Sequence, residues 1–416
     1  MKKESFLKIL ENKNFLKLWG SQIISQVTAN FLNFVLMIKI YEATGSATAL
    51  SLFLLVYTAP SVFLGLFAGA IIDFWSKRKI LLLSNLLQSL VVLFYLGLKG
   101  SIWPIYTIVF LYSLCDEFFG PSLGASLPAL VEKENLAVAN SLFLFTSQLS
   151  MLIGYSLGGP IIKFLGQRLP FIIASFFLLT AAVIAYFLPK DKPKKIKRMG
   201  LDKYSQMIIK GMGEGYRFIK SQPRVLYPFL FYVFFQMLIG VCIVLFPSLA
   251  REILSIDVKD AGLAVLLPVG LGALVGTFYV NRKIKTWGRK NLISVGWLLS
   301  GSCFLILALI IPRIVLAPFF AFLVLLFLGI GGVLVIITSL TMIQENTPEG
   351  IRGRVLGTLS TLMIISTYLP VFVLATITDF FGVITTLLLI GLTILLIGII
   401  SFKVERKNVL RTSYRT

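Results

Sequence analysis

Apolar runs of about 20 residues recur along the whole chain, separated by short polar turns, and this recurrence restricts the fold more than any other feature. A run of that length crosses a hydrocarbon core of about 30 Å as an α-helix, with every backbone polar group satisfied internally. Twelve such runs are expected, the first at residues 15–40 and the last at 383–402. With 57% hydrophobic residues, 14% charged residues and a mean hydropathy of +0.91, the composition excludes an ordinary soluble domain. The fold class expected is an all-α integral membrane protein.

The chain has 39 Lys and Arg against 18 Asp and Glu, a net charge of +21. The placement of these cations argues against nucleic acid. If the N-terminus is cytoplasmic, 32 of them fall on inside segments and 7 outside: Lys39, Lys99, Lys163, Arg168, Arg251, Lys259 and Arg313. By the positive-inside rule both termini are cytoplasmic, in a multi-pass protein of the cell's inner membrane, and anionic headgroups on that face answer the excess charge. Residues 1–13 are polar and charged, so the first run is read as its own targeting signal rather than a cleavable one. Cys115, Cys242 and Cys303 lie within apolar runs without metal or disulfide spacing, and the chain has no His. No metal site or cofactor is expected.

Several polar groups interrupt the runs. Gln22, Gln26, Asn30 and Asn33 share one helical face, which lines either a helix contact or a water-filled cavity. Gln148 and Gln236 are further cavity candidates. Asp116 and Glu117 stand side by side deep in the run 103–127, where each costs about 2.5 to 3.5 kcal/mol on insertion scales unless compensated. They are either a proton- or substrate-binding pair or a structural one. Small residues at Gly65 and Gly69, at Gly154, Gly158 and Gly159, and at Gly272 and Gly276 permit close helix approach. Residues 190–224 form the longest polar segment, with 11 Lys or Arg, and its later part suits a surface helix on anionic lipid.

Two turns carry a sharper signal. In Gly69-Ala-Ile-Ile-Asp73-Phe-Trp-Ser76-Lys77-Arg78-Lys79 an acid ends one run and cations begin the next. The turn ending Gly288-Arg289-Lys290 answers it in the second half without the acid. Gln344-Glu345-Asn-Thr-Pro-Glu-Gly-Ile-Arg352-Gly-Arg354 brings another acid beside two cations, and the reading is that Glu345 latches through Arg352 and Arg354, or that the cluster is a surface one.

The first turn resembles the signature of the major facilitator superfamily, Gly-x-x-x-Asp-x-x-Gly-Arg-Arg/Lys, with Gly69, Asp73, Lys77 and Arg78 in matching places. Ser76 and Lys77 replace the usual Gly and Arg. The turn at 344–354 is similar to that of the macrolide-efflux and siderophore-exporter branch, and Gly154 to Pro160 partly match a Gly-Pro motif of antiporters. The resemblance implies twelve helices in two pseudo-symmetric six-helix bundles, 1–189 and 225–416, joined by the linker 190–224. It implies alternating access about a midplane site, with the charged turns as cytoplasmic latches and the glycine faces as moving surfaces. It also implies export of hydrophobic or amphipathic compounds in exchange for protons, by a chain expected to act as a monomer. The branch commonly has an Asp where this chain has Ala29, and an Arg where Leu123 follows Pro121. Coupling therefore falls to Asp116 and Glu117.

No Gly-x-x-x-x-Gly-Lys-Ser/Thr loop is present to use ATP, and no nucleophile and base can be assembled into an enzyme site. The alternatives are export of another solute, such as a siderophore or lysophospholipid, and a non-transporting membrane sensor or assembly factor.

Overall fold

The structure is a computed structural model that describes residues 8–97, 102–191, 201–283, 288–314 and 316–413. Within these, the side chains at 63, 65–71, 73, 74, 133, 137, 201–205, 207–209, 281–283, 290, 349, 360, 361, 364–366, 368, 369 and 403–413 lie outside the description. Gly65, Gly69, Asp73 and Lys290 are therefore located by backbone alone.

Apart from short turns the described residues are helical, and no strand is present among them. In chain order they form α1 (Lys13–Thr44), α2 (Ala47–Phe74), α3 (Lys77–Leu93, continued by a 3-10 turn Phe94–Gly97), α4 (Trp103–Asp116), α5 (Phe119–Leu130), α6 (Leu136–Leu165) and α7 (Leu169–Tyr186). Then follow α8 (Leu201–Ser221), α9 (Pro223–Ser248), α10 (Leu267–Lys283), α11 (Arg289–Leu309), α12 (Ala317–Glu345) and α13 (Glu349–Ser413). Local chemistry sets several ends. Ser76 caps α3 by accepting from the Lys79 amide, and Pro residues open α4, α7, α9 and α12, where no N–H partner is needed. Gly382, at φ 82°, divides α13 into two helices.

Among the described residues nine stretches are long and apolar enough to cross a membrane. The count differs from twelve at identifiable places. In α2 only Ala47–Val62 counts, as a shorter apolar helix; the run 103–127 is broken into α4 and α5; and Pro370–Phe402 contains the Gly382 turn. Large apolar side chains point outward from these helices, Phe164, Phe278 and Phe380 each being more than three-quarters exposed. In water that surface would aggregate, whereas in a bilayer it meets lipid tails.

The chain divides into two compact units, Met1–Thr44 with Phe53–Ile208, and Gly45–Leu52 with Ile209–Thr416. The boundary falls inside α8. In the first unit α1 packs on α6 and α7, and α3 on α7, α4 and α5. Phe15, Leu18, Leu81, Phe119 and Leu127 form an apolar cluster there. In the second unit α10 packs on α12, and α11 on α12 and α13. Trp297, fully buried, sits against Phe231, Phe234 and Phe235 at 5.2 to 6.0 Å between ring centroids.

Lipid tails are as apolar as Leu, so helix association rests on close packing, and glycines supply it. A Cβ at Gly154 would lie 2.6 Å from Asn30 Cβ, and one at Gly158 would strike the Phe34 ring, so both seat α6 on α1. Gly159 is buried on the same helix. Gly272 lies against the Leu326 carbonyl and Gly276 against Ile330, which seats α10 on α12. The sequence reading made these faces the surfaces along which the halves move. At Gly154, Gly158, Gly272 and Gly276 they are instead seams within one unit, where a fixed close contact is required.

Candidate functional site

Asp116 and Glu117 stand where α4 is interrupted before α5. The interruption follows from Pro121, which has no N–H to give the carbonyl of Glu117 four residues earlier and whose ring crowds that oxygen. Tyr57 and Ser61, one turn apart on α2, take one acid each. Tyr57 Oη donates to Asp116 Oδ2 at 3.3 Å, and Ser61 Oγ donates to Glu117 Oε2. From α3, Gln88 Nε2 donates to Asp116 Oδ1 at 3.1 Å. Ser113 Oγ donates to the Tyr57 carbonyl and holds α4 against α2.

Every donor in this group is neutral. Among the described residues neither acid is in an ion pair, so no fixed cation competes with a proton or a cationic solute for either carboxylate. Charge-neutral donors orient a carboxylate without cancelling its charge.

The amide stripe on α1 is divided by its surroundings. Gln22 is fully buried and donates to Gln26 Oε1 at 2.7 Å and to the Phe143 carbonyl at 3.2 Å, while Thr146 donates to its Oε1. Trp19 Nε1 donates to Thr146 as well, at 3.1 Å. Gln22 thus belongs to the α1–α6 contact rather than to a cavity, and the cavity reading is corrected there; Gln26, half-buried, meets it as an acceptor. Asn30 turns back to the Gln26 carbonyl. Asn33 lines a cavity. Gln148 is exposed on α6, and Gln236 reaches Tyr232 Oη at 3.5 Å.

The described ties of the charged turns include partners that the sequence reading did not pair with them. Asp73 lies outside the described side chains, and Lys77 meets Asp191, which accepts from Ser76 Oγ at 2.6 Å and from the Lys77 and Arg78 amides at 2.7 and 3.3 Å. The Arg78 guanidinium stacks 4.9 Å from the Tyr186 ring centroid. Burial alone would raise the Asp191 carboxyl, but these hydrogen bonds outweigh it and hold the group below its ordinary range. The tie is therefore complete above the ordinary Asp pKa of about 3.9 and weakens as pH falls through the lower folded value. Asp191→Asn should raise hydrogen exchange at the Lys77 and Arg78 amides about tenfold or more at neutral pH, as the charge-assisted bonds are lost. Mass spectrometry of that peptide checks it, and unchanged exchange would remove Asp191 as the anchor.

In the second unit Glu345 pairs with Arg289 at 2.6 Å, not with Arg352 or Arg354. Arg352 donates to the Thr347 carbonyl, and Arg354 pairs with Glu214 on α8. Gly288, at φ 78°, turns the chain into α11 just before Arg289. Asp379, not singled out from sequence, accepts from Ser46 Oγ at 2.6 Å and from the Ala47 and Thr48 amides at 2.7 and 2.9 Å, where a carboxylate answers the open amides of a helix start. The one sequence signal for it is an Asp before the Gly that ends a run.

A family model described as Major Facilitator Superfamily matches residues 18–366 and, overlapping that span, 229–414. The chain is 24% identical to the uncharacterized MFS-type transporter YfiS of Bacillus subtilis (strain 168), over 94% of this chain and 92% of that protein. It is 29% identical to macrolide efflux protein A of Streptococcus pyogenes, over 29% of this chain and 31% of that protein. Among solved structures, a bacterial homolog of the human lysosomal transporter Spinster, inward-facing and unoccupied, matches with a TM-score of 0.74 at 13% identity, over 99% of this chain and 98% of that one. The nucleoside transporter NupG matches with a TM-score of 0.71 at 11% identity, over 94% and 99%. At these identities the structural likeness is one of fold.

Proposed function

Since the chain belongs to the Major Facilitator Superfamily, and is a membrane transporter rather than an enzyme, we propose that it exports hydrophobic or amphipathic small molecules in exchange for protons. The observation that carries this reading is the pair of carboxylates at a helix break, held by neutral donors among the described residues. Asp116 and Glu117 alternate between a proton and a cationic or hydrogen-bonding group of the substrate, so that occupation by one releases the other. Substrate reaches them from each face of the membrane in turn. The partial likeness to a macrolide efflux protein supports the substrate class, and the loop charges support cytoplasmic termini in the cell's inner membrane.

The test is transport by the purified protein in proteoliposomes, with lipophilic cationic dyes and macrolides offered under an imposed pH gradient and without one. Gradient-driven movement is expected. Movement that ignores the gradient removes proton exchange, and a panel in which nothing moves removes the substrate class.

A further inference from the structure

A cavity in the first unit is lined by Asn33, Tyr57, Tyr95 and Tyr112 against an apolar wall from α1 and α4. Tyr95 and Tyr112 are 2% and 4% exposed, yet neither hydroxyl has a hydrogen-bond partner among the described residues. Tyr95 is fixed by its ring, stacked on Phe171 at 5.0 Å. A buried hydroxyl left unpaired is destabilising, and two around one cavity call for an occupant that both donates and accepts. No charged side chain lines the space, which disfavours a bare ion, and an apolar occupant would leave both hydroxyls unpaired. The volume open to the centre of a water is about 10 Å³, which is room for one water.

The cavity is placed on one side of the acids. Tyr112 stands one turn before Asp116 on α4, Tyr95 lies in the turn that ends α3, and Tyr57 is within the first three turns of α2. All three lie between Asp116 and the end of the unit opposite the basic turn at 77–79. Tyr57 joins the two regions, because it lines the cavity beside Asn33 and donates to Asp116. Glu117, held by Ser61 one turn further along α2, stands apart from it. The titratable groups around Asp116 are Tyr57, Tyr112, Cys115 and Glu117.

We propose that this cavity is a water site and that Tyr57, Tyr95 and Tyr112 form with its water a proton path between that end of the unit and Asp116. The path rests on the reading that Asp116 exchanges protons. An excess proton on the water passes to Tyr57 Oη as the proton already on Tyr57 moves to Asp116 Oδ2. One O–H bond forms and one breaks at the tyrosine, which stays neutral, and no electrons change hands. Tyr57 is the connecting residue; Tyr95 and Tyr112 position the water.

Two measurements on the reconstituted full-length protein test this. Hydroxyl-radical labelling by X-ray radiolysis modifies side chains beside bound water even when they are buried. Tyr95 and Tyr112 should be labelled several-fold faster than Tyr41, which is also 2% exposed. Equal protection of all three overturns the water site. Time-resolved infrared spectroscopy after a pH jump follows the Asp116 carboxyl band, identified by its loss in Asp116→Asn. Tyr57→Phe should keep the band and slow its rise about tenfold or more. Tyr112→Phe, which removes only the orphaned hydroxyl, serves as a second variant if Tyr57→Phe does not fold. An unchanged rate, or an Asp116 band that never rises, overturns the path. If Tyr57→Phe slows protonation while Asp116→Asn still moves substrate with the gradient, the path stands and the proton-exchange reading of Asp116 falls.

Discussion

Asp116→Asn is expected to uncouple transport from the pH gradient while leaving the protein folded. An Asn side chain keeps the shape of Asp, with its one oxygen accepting from Gln88 and its NH2 donating to a Tyr57 hydroxyl that turns to accept, but it cannot take up and release a proton. A gradient of one pH unit carries about 1.4 kcal/mol per proton, a factor of ten in the accumulation that one-for-one exchange can sustain. Wild-type proteoliposomes should therefore build about a tenfold substrate ratio under that gradient, and the Asn variant a ratio of about one. Counterflow of labelled against unlabelled substrate, which needs no gradient, should persist in the variant and shows that binding survives. A variant that still accumulates substrate tenfold would move the coupling role to Glu117 or to another ion.

The second large effect is on stability. Gly272→Ala places a methyl group on the Leu326 carbonyl, and Gly329, across the same seam, faces the Val269 carbonyl at equally close range. Backbone cannot rotate out of the way as a side chain can, so α10 and α12 must separate over their contact. Overpacking of this kind costs about 1 to 3 kcal/mol, and more where the neighbour is rigid. Gly353→Ala is the matched control, because nothing lies within 4 Å of the added carbon and the exposed helix gains up to about 1 kcal/mol from the better helix former. Thermal unfolding in detergent, followed by size-exclusion of the remaining monodisperse protein, compares the two. Equal midpoints would mean that the α10–α12 seam is looser than its geometry shows.

The membrane class and the family were legible because both reside in local sequence: apolar run length, loop charge and the turn at 69–79. Partners were legible only where they are near. The period of Gln22, Gln26, Asn30 and Asn33 gives a shared face, but nothing in it says that Thr146 and the Phe143 carbonyl come to meet Gln22 while Asn33 meets a cavity. Distant partners of the charged turns were hidden for the same reason. Ser76 and Asp191 are 115 residues apart, Arg354 and Glu214 140, and Ser46 and Asp379 333, so nearby opposite charges were the natural but wrong choice for Glu345. The helix break at Asp116 and Glu117 is different. Pro121 announces it by elementary chemistry, and reading residues 103–127 as one unbroken helix passed over that signal.

That break gives the candidate site an ingredient that replacement of either acid cannot delete. Pro121 withholds the amide that would otherwise occupy the Glu117 carbonyl, so the main chain itself keeps an acceptor free of its helical partner beside the two acids. A scan that changes each side chain in turn reads only half of such a site. Recognition there has a layer written in the path of the backbone, inherited by any sequence that keeps the proline whatever stands at 116 and 117. Solute preference could then drift through side-chain exchange while a common foothold for hydrogen-bond donors persists beneath it.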